Sequence, residues 1–179
     1  MDGVLFLDMD GVLCTVRAHY AYGMDKAGKR LMRALDPISI MLVDRLCEDF
    51  NLQIVVSSTW RGDNDCGIVL KSLLNSHGLK AQFHKDWRTD HEFTFSKPNG
   101  LRDREIEEWL DNHPEIKRFV ILDDECMRFM HSNKLKNNFV NTHPEDGVTT
   151  KNYWDAVEIL SNYTMENNRE IQISSDTKH

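Results

Sequence analysis

Apolar residues fall along the chain in short unbroken runs, separated by longer stretches in which they recur every three or four positions. The first run, VLFL at residues 4–7, is followed at once by acidic residues. Unbroken apolar runs of this length predict strands buried on both faces, as in a parallel sheet. Residues 53–56 and 119–122 repeat the pattern, and residues 80–84 and 139–140 are shorter candidates. Between these runs the period changes. Asp36 and Pro37 form a helix start, an N-cap followed by proline in the first turn, and Ile38, Met41, Leu42, Leu46 and Phe50 continue at helical spacing. Further helices are predicted over 68–77, closed by Gly78, and over 99–111, stopping at His113 and Pro114. A last helix capped by Thr149 carries Tyr153, Trp154, Val157 and Leu160.

Strands alternating with helices predict βαβ units, and so an α/β, Rossmann-like fold with a central parallel sheet and helices on both faces. Ligands of such sheets bind beyond the carboxyl ends of the strands. The pattern predicts one domain over 1–162, with residues 14–35 as a short insert and 163–179 as a polar tail in which Ile171 and Ile173 form at most an edge strand.

Hydrophobic content of 40% with 28% charged residues is that of a soluble globular chain, and no apolar run reaches the roughly 20 residues of a membrane helix. The N-terminal strand lacks a basic flank and carries Asp8 and Asp10, which excludes a secretory signal and suits a cytoplasmic protein. Cys14, Cys47, Cys66 and Cys126 are widely spaced, as reduced thiols are, rather than paired for zinc. The net charge of −7 excludes a general nucleic-acid coat, yet the insert holds Arg17, Lys26, Lys29, Arg30 and Arg33 against Asp25 alone. That basic segment is either a docking site for an anionic partner or a solvated face.

The chemistry concentrates at strand ends. Asp8-Met9-Asp10-Gly11-Val12-Leu13 directly follows the first strand; a calcium loop would need glutamate at its twelfth position, where His19 stands. Gly11 permits a bend that brings Asp10 back beside Asp8. Asp123 and Asp124 close the 119–122 strand in the same way.

These residues resemble the haloacid dehalogenase-like (HAD) superfamily, whose four motifs occur here in order: the DxDG of Asp8, the hydroxyl after the second strand in Ser57-Ser58-Thr59, Lys97-Pro98, and Asp123-Asp124. The segments VVSSTWR at 55–61, RDREI at 102–106 with Trp109-Leu110, and Asp146-Gly147-Val148-Thr149 are similar to the compact HAD domain of RNA-repair proteins, and more distantly to the 3′-phosphatase domain of polynucleotide kinases. The resemblance implies Asp8 as nucleophile, Asp10 as acid and base, Ser58 and Lys97 as further catalytic groups, and Thr59 and Arg61 at the substrate. It also implies Mg2+ held by Asp8, Asp10, Asp123 and Asp124. Ser57 and Thr59 rival Ser58 for the phosphate because successive strand residues alternate faces. Arg102 and Arg104 rival Lys97 as the active-site cation, and Arg61 is equally read as a structural residue.

The expected function is a Mg2+-dependent phosphomonoesterase working through an aspartyl-phosphate. The short insert leaves little room for a cap domain and implies an open site. Its basic residues with His19, Tyr20 and Tyr22, and a second loop over 83–95 with His84, Trp87, Arg88 and His91, suit an RNA or DNA 3′-phosphate end. A mononucleotide, another small molecule or a phosphoprotein are the alternative substrates, and a silent phosphate-binding module is the alternative outside enzymes. Asp10 argues against carbon-halogen hydrolysis, which needs no second acid.

Overall fold

The computed structural model describes residues 3–23, 34–62, 66–89 and 102–176, the side chains of 66–67, 127–128 and 164–176 excepted. Its centre is a five-stranded sheet in the order β3-β2-β1-β4-β5, formed by β1 (Gly3–Leu7), β2 (Leu52–Val56), β3 (Phe83–Arg88), β4 (Arg118–Asp123) and β5 (Phe139–Asn141). Every pairing is parallel. The helices are α1 (Val16–Tyr22), α2 (Pro37–Phe50), α3 (Cys66–Ser76), α4 (Arg102–Asn112), the single turn α5 (Cys126–Phe129) and α6 (Thr150–Asp176).

The apolar runs are buried on both faces, as a parallel sheet requires. Leu5 and Leu7 of β1 pack with Ile40, Val43 and Leu46 of α2, Leu70 and Leu74 of α3, and Ala156 and Leu160 of α6. Val4 and Phe6 point the other way, into a second core with Ile106, Trp109 and Leu110 of α4 and Phe129 of α5. There the Phe6 and Trp109 rings meet edge to face, centroids 5.3 Å apart. Asp36 caps α2 as expected, its Oδ1 accepting the N–H groups of Ile38 and Ser39. The same carboxylate takes Thr15 Oγ1 and Arg17 Nε, which fastens the insert to α2.

The structure corrects three expectations. The strand expected over 80–84 begins at Phe83 and runs to Arg88, because the N–H groups of Lys80 and Ala81 bond the Asp44 carboxylate, each at 2.7 Å, rather than a ladder. The substrate loop expected over 83–95 is therefore strand up to Arg88: His84 is buried, Trp87 lies beneath Lys71, and Arg88 donates to the Arg61 carbonyl. His91 lies outside the described residues. Third, α6 continues to Asp176, where a polar tail or edge strand was expected. No glycine or proline occurs from Thr150 onward to stop it. Among the described residues no helix is long and apolar enough to cross a membrane.

Candidate active site

The chain leaves β1 for β2 on one side, and β4 pairs with β1 on the other, so the strand order reverses between β1 and β4. Such a switch point opens a crevice beyond the strand ends. Asp8 follows β1 and Asp123 ends β4, with Asp8 N–H donating to the Leu122 carbonyl at 3.1 Å. Asp8, Asp123 and Asp124 each offer an oxygen within 4.8 Å of the others. Gly11 makes this approach possible. It sits at φ +74°, and a Cβ there would lie 2.3 Å from Asp124 Oδ2. Thr142 links the two acidic loops: its Oγ1 donates to the Gly11 carbonyl, and its N–H to the Asp123 carbonyl, both at 3.0 Å.

Among the described residues, Arg102 ion-pairs with this cluster. Its Nη1 lies 2.9 Å from Asp8 Oδ2 and 2.6 Å from Asp123 Oδ2. Burial would lower its pKa, but the Asp8 and Asp123 carboxylates outweigh burial and leave it raised. Burial first, and then the Asp8 charge, pushes the Asp123 and Asp124 carboxyls above the usual carboxylate range. Arg104 is exposed on α4, and Lys97 lies outside the described residues.

Two polar atoms of the cluster are buried with no hydrogen-bond partner among the described residues, Asp8 Oδ1 and Ser57 Oγ. Ser57 follows Val56, the ladder partner of Leu7, and its N–H donates to the Leu7 carbonyl at 3.0 Å. It therefore stands one step past the ladder beside Asp8. Leaving such atoms unsatisfied costs roughly 1–3 kcal/mol each, so both are suited to bonding an ion, a water molecule or a substrate oxygen. Ser58, the expected phosphate hydroxyl, is buried and its Oγ accepts the Trp60 N–H at 3.4 Å. Thr59 is exposed.

Arg61, for which substrate binding and a structural role were equal readings, is fully buried. Its guanidinium pairs with Glu105 and donates to the carbonyls of Ser57 at 2.6 Å and Thr89 at 3.1 Å. It fastens the turn Thr59–Gly62 to α4. Trp60 on that turn reaches Asp10, the indole N–H donating to Oδ2 at 2.8 Å. Asp10 itself is exposed, in contrast to Asp8. Neither Trp60, Thr142 nor Glu105 stands out in the sequence as a site residue, because each acts through a partner distant in the chain.

The acid oxygens fit a hard dication such as Mg2+: all are carboxylate, they converge, and one of them is buried with no hydrogen-bond partner among the described residues. A second convergent group, His84, Asp86 and His113, lies between β3 and the end of α4. His113 Nε2 lies 2.9 Å from Asp86 Oδ2, and the two Nδ1 atoms serve the fold. His84 Nδ1 accepts the Asp86 N–H at 3.1 Å, His113 Nδ1 lies 2.7 Å from the Trp109 carbonyl, and the His113 ring stacks on Trp109 at 3.8 Å. These contacts close the end of the helix. The Lys26, Lys29, Arg30 and Arg33 side chains lie outside the described residues.

Comparison with curated proteins and with solved structures finds no match. The profile of the HAD domain in Swiss Army Knife RNA repair proteins does match, over residues 4–153, from β1 into the first turn of α6 and across every acidic residue of the site; the chain belongs to that family.

Proposed function

We propose that this protein is a Mg2+-dependent phosphomonoesterase that forms an aspartyl-phosphate on Asp8 and acts on 3′-phosphorylated RNA ends. The observation that carries the reading is the Asp8 carboxylate, buried at the switch point, ion-paired through Oδ2 and unpartnered at Oδ1. Asp8, Asp123 and Asp124 would hold the metal, joined by the Asp10 backbone carbonyl that the family resemblance implies. When bound, the ion would neutralise the carboxylates and draw charge from the phosphoryl oxygens.

The rest belongs to the chain. Arg102 orients Asp8 through its ion pair, so that an oxygen of Asp8 attacks phosphorus while the ester P–O bond breaks. Asp10 gives its proton to the leaving oxygen. The Ser57 hydroxyl, buried and unpartnered beside Asp8, is the donor best suited to a phosphoryl oxygen, ahead of Ser58. A water molecule then attacks the phosphorus of the aspartyl-phosphate and passes a proton to Asp10. Phosphate leaves, and both carboxyl groups return to their starting states.

The RNA end is supported by the family description and by Tyr20 and Tyr22, 82% and 57% exposed on α1 just beyond the catalytic loop, where bases can stack on them. The test is phosphate release from 3′- and 5′-phosphorylated oligoribonucleotides, mononucleotides and phosphopeptides in Mg2+ or chelator. The 3′-phosphorylated oligoribonucleotide should be preferred, and Asp8→Asn should lower turnover at least about a thousandfold, ~4 kcal/mol of barrier, with the fold retained. Metal-independent turnover, or an active Asp8→Asn variant, rejects the mechanism. Preference for a free nucleotide rejects the substrate.

A further inference from the structure

Asp10 must do its work from an exposed loop, where a carboxylate ordinarily samples several rotamers and both oxygens compete for solvent. Here one oxygen is held. The Trp60 indole N–H donates to Asp10 Oδ2 at 2.8 Å, and the Trp60 side chain is itself only 6% exposed. An indole can donate but not accept, so it cannot take the proton that Asp10 carries. Oδ1 is left as the oxygen that exchanges a proton with the reacting groups. The ring is anchored in turn: its turn is fastened by the buried Arg61 to Glu105 of α4 and to the Thr89 carbonyl after β3.

On the reading of the site given above, we infer that Trp60 is the positioning residue of the proton donor, and that it adapts the site to phosphate esters of unactivated alcohols such as sugar hydroxyls. The chemical reason lies in the leaving group. An aryl phosphate expels a stabilised phenolate, for which proton transfer in the transition state matters little. An alkyl phosphate expels an alkoxide, which must be protonated as the P–O bond breaks, and a donor misplaced by an ångström loses much of its effect. A tryptophan that fixes one carboxylate oxygen therefore acts on the second class of substrate and hardly on the first.

The experiment compares the parent, Trp60→Phe, Asp10→Asn and the double variant on 4-nitrophenyl phosphate and on a ribose 3′-phosphate, each in Mg2+. The value of kcat/KM is read because it reports the first phosphoryl transfer. Trp60→Phe keeps an aromatic body and loses the N–H. It should lower the ratio of alkyl to aryl kcat/KM at least fivefold, and it should lower that ratio no further when added to Asp10→Asn, since the residue acts through the carboxylate. An equal loss on both substrates, no loss on either, or an additive effect in the double variant overturns the inference while leaving the phosphatase reading intact. No turnover by the parent on either substrate removes that reading, and the inference with it. If Trp60→Phe does not fold, the contact is tested directly by proton-nitrogen correlation spectra of the four indole groups. Asp10→Asn should then move the Trp60 indole proton upfield by more than the other three, and a shift no larger than theirs overturns the inference.

Discussion

Two arginines are buried side by side at the carboxyl end of the sheet, and they are balanced in opposite ways. Arg61 pairs with Glu105 and donates to the carbonyls of Ser57 and Thr89. Arg102 faces Asp8 and Asp123 with Asp124 close by, and leaves Asp8 Oδ1 without a partner. Both arrangements meet on one helix. Arg102 and Glu105 are three positions apart in the first turn of α4, hence on the same side of it. The helix turns a cation toward the acids and, one turn on, an anion toward Arg61. Among the described residues, Arg61 has its counter-ion in Glu105, whereas the acids around Arg102 keep a buried oxygen without a partner. The first sets geometry, and the second is suited to binding.

The comparison is broken most severely at its closed half. Glu105→Ala strands the Arg61 guanidinium inside the protein and should lower unfolding stability by about 3–5 kcal/mol in urea denaturation. The loss should be alike in Mg2+ and in chelator. A loss below about 1 kcal/mol would mean that Arg61 finds solvent or another anion.

At the open half the sign should reverse. Asp124→Asn removes one of three crowded negative charges, so in chelator the variant should be more stable than the parent, by about 1 kcal/mol or less because Asp124 is half exposed and solvent screens it. The rise in thermal midpoint on adding Mg2+ should shrink in the same variant. A variant less stable in chelator, or one with the full Mg2+ response, would take Asp124 out of the metal set.

The acids of the open half could be read from the sequence because strand ends carry their own signal: an apolar run that stops at a carboxylate. Arg102 was visible only as a rival of Lys97, since a helix start does not tell which basic side chain turns toward β1. Arg61 reads as a loop arginine because its counter-ion lies 44 residues away. The Trp60 contact with Asp10 spans 50 residues, and the Asp44 carboxylate that delays β3 binds amides 36 and 37 residues on. Local pattern carries the strands and the acids they end in. What holds the acids in place depends on tertiary neighbours, which spacing does not encode.

The smallest expected effect lies away from both arginines. Burial, chiefly, lowers the His84 pKa from its ordinary 6.5, so the folded protein prefers the neutral ring. The unfolded chain takes up the proton first, and this contribution is therefore lost as pH falls from 6.5 toward the lowered value. The urea midpoint of the parent should decline more between pH 7 and pH 5 than that of His84→Gln. Parallel profiles would show that the ring is protonated as easily in the fold as outside it.

Gly11 gives the site a steric adjustment that is independent of its charge. Every carboxylate substitution changes the number of ligands and the electrostatic field together. A single methyl at position 11 would alter neither directly: it would stand where the Asp124 carboxyl group now lies, 2.3 Å from Oδ2, and strain a backbone held at φ +74°. Gly11→Ala would thus displace one acid from a cluster whose formal charge is unchanged. Affinity for the proposed metal would then respond to where Asp124 stands and to backbone strain, with its charge unchanged, so that a change of one carbon atom probes the location of that carboxylate apart from its charge.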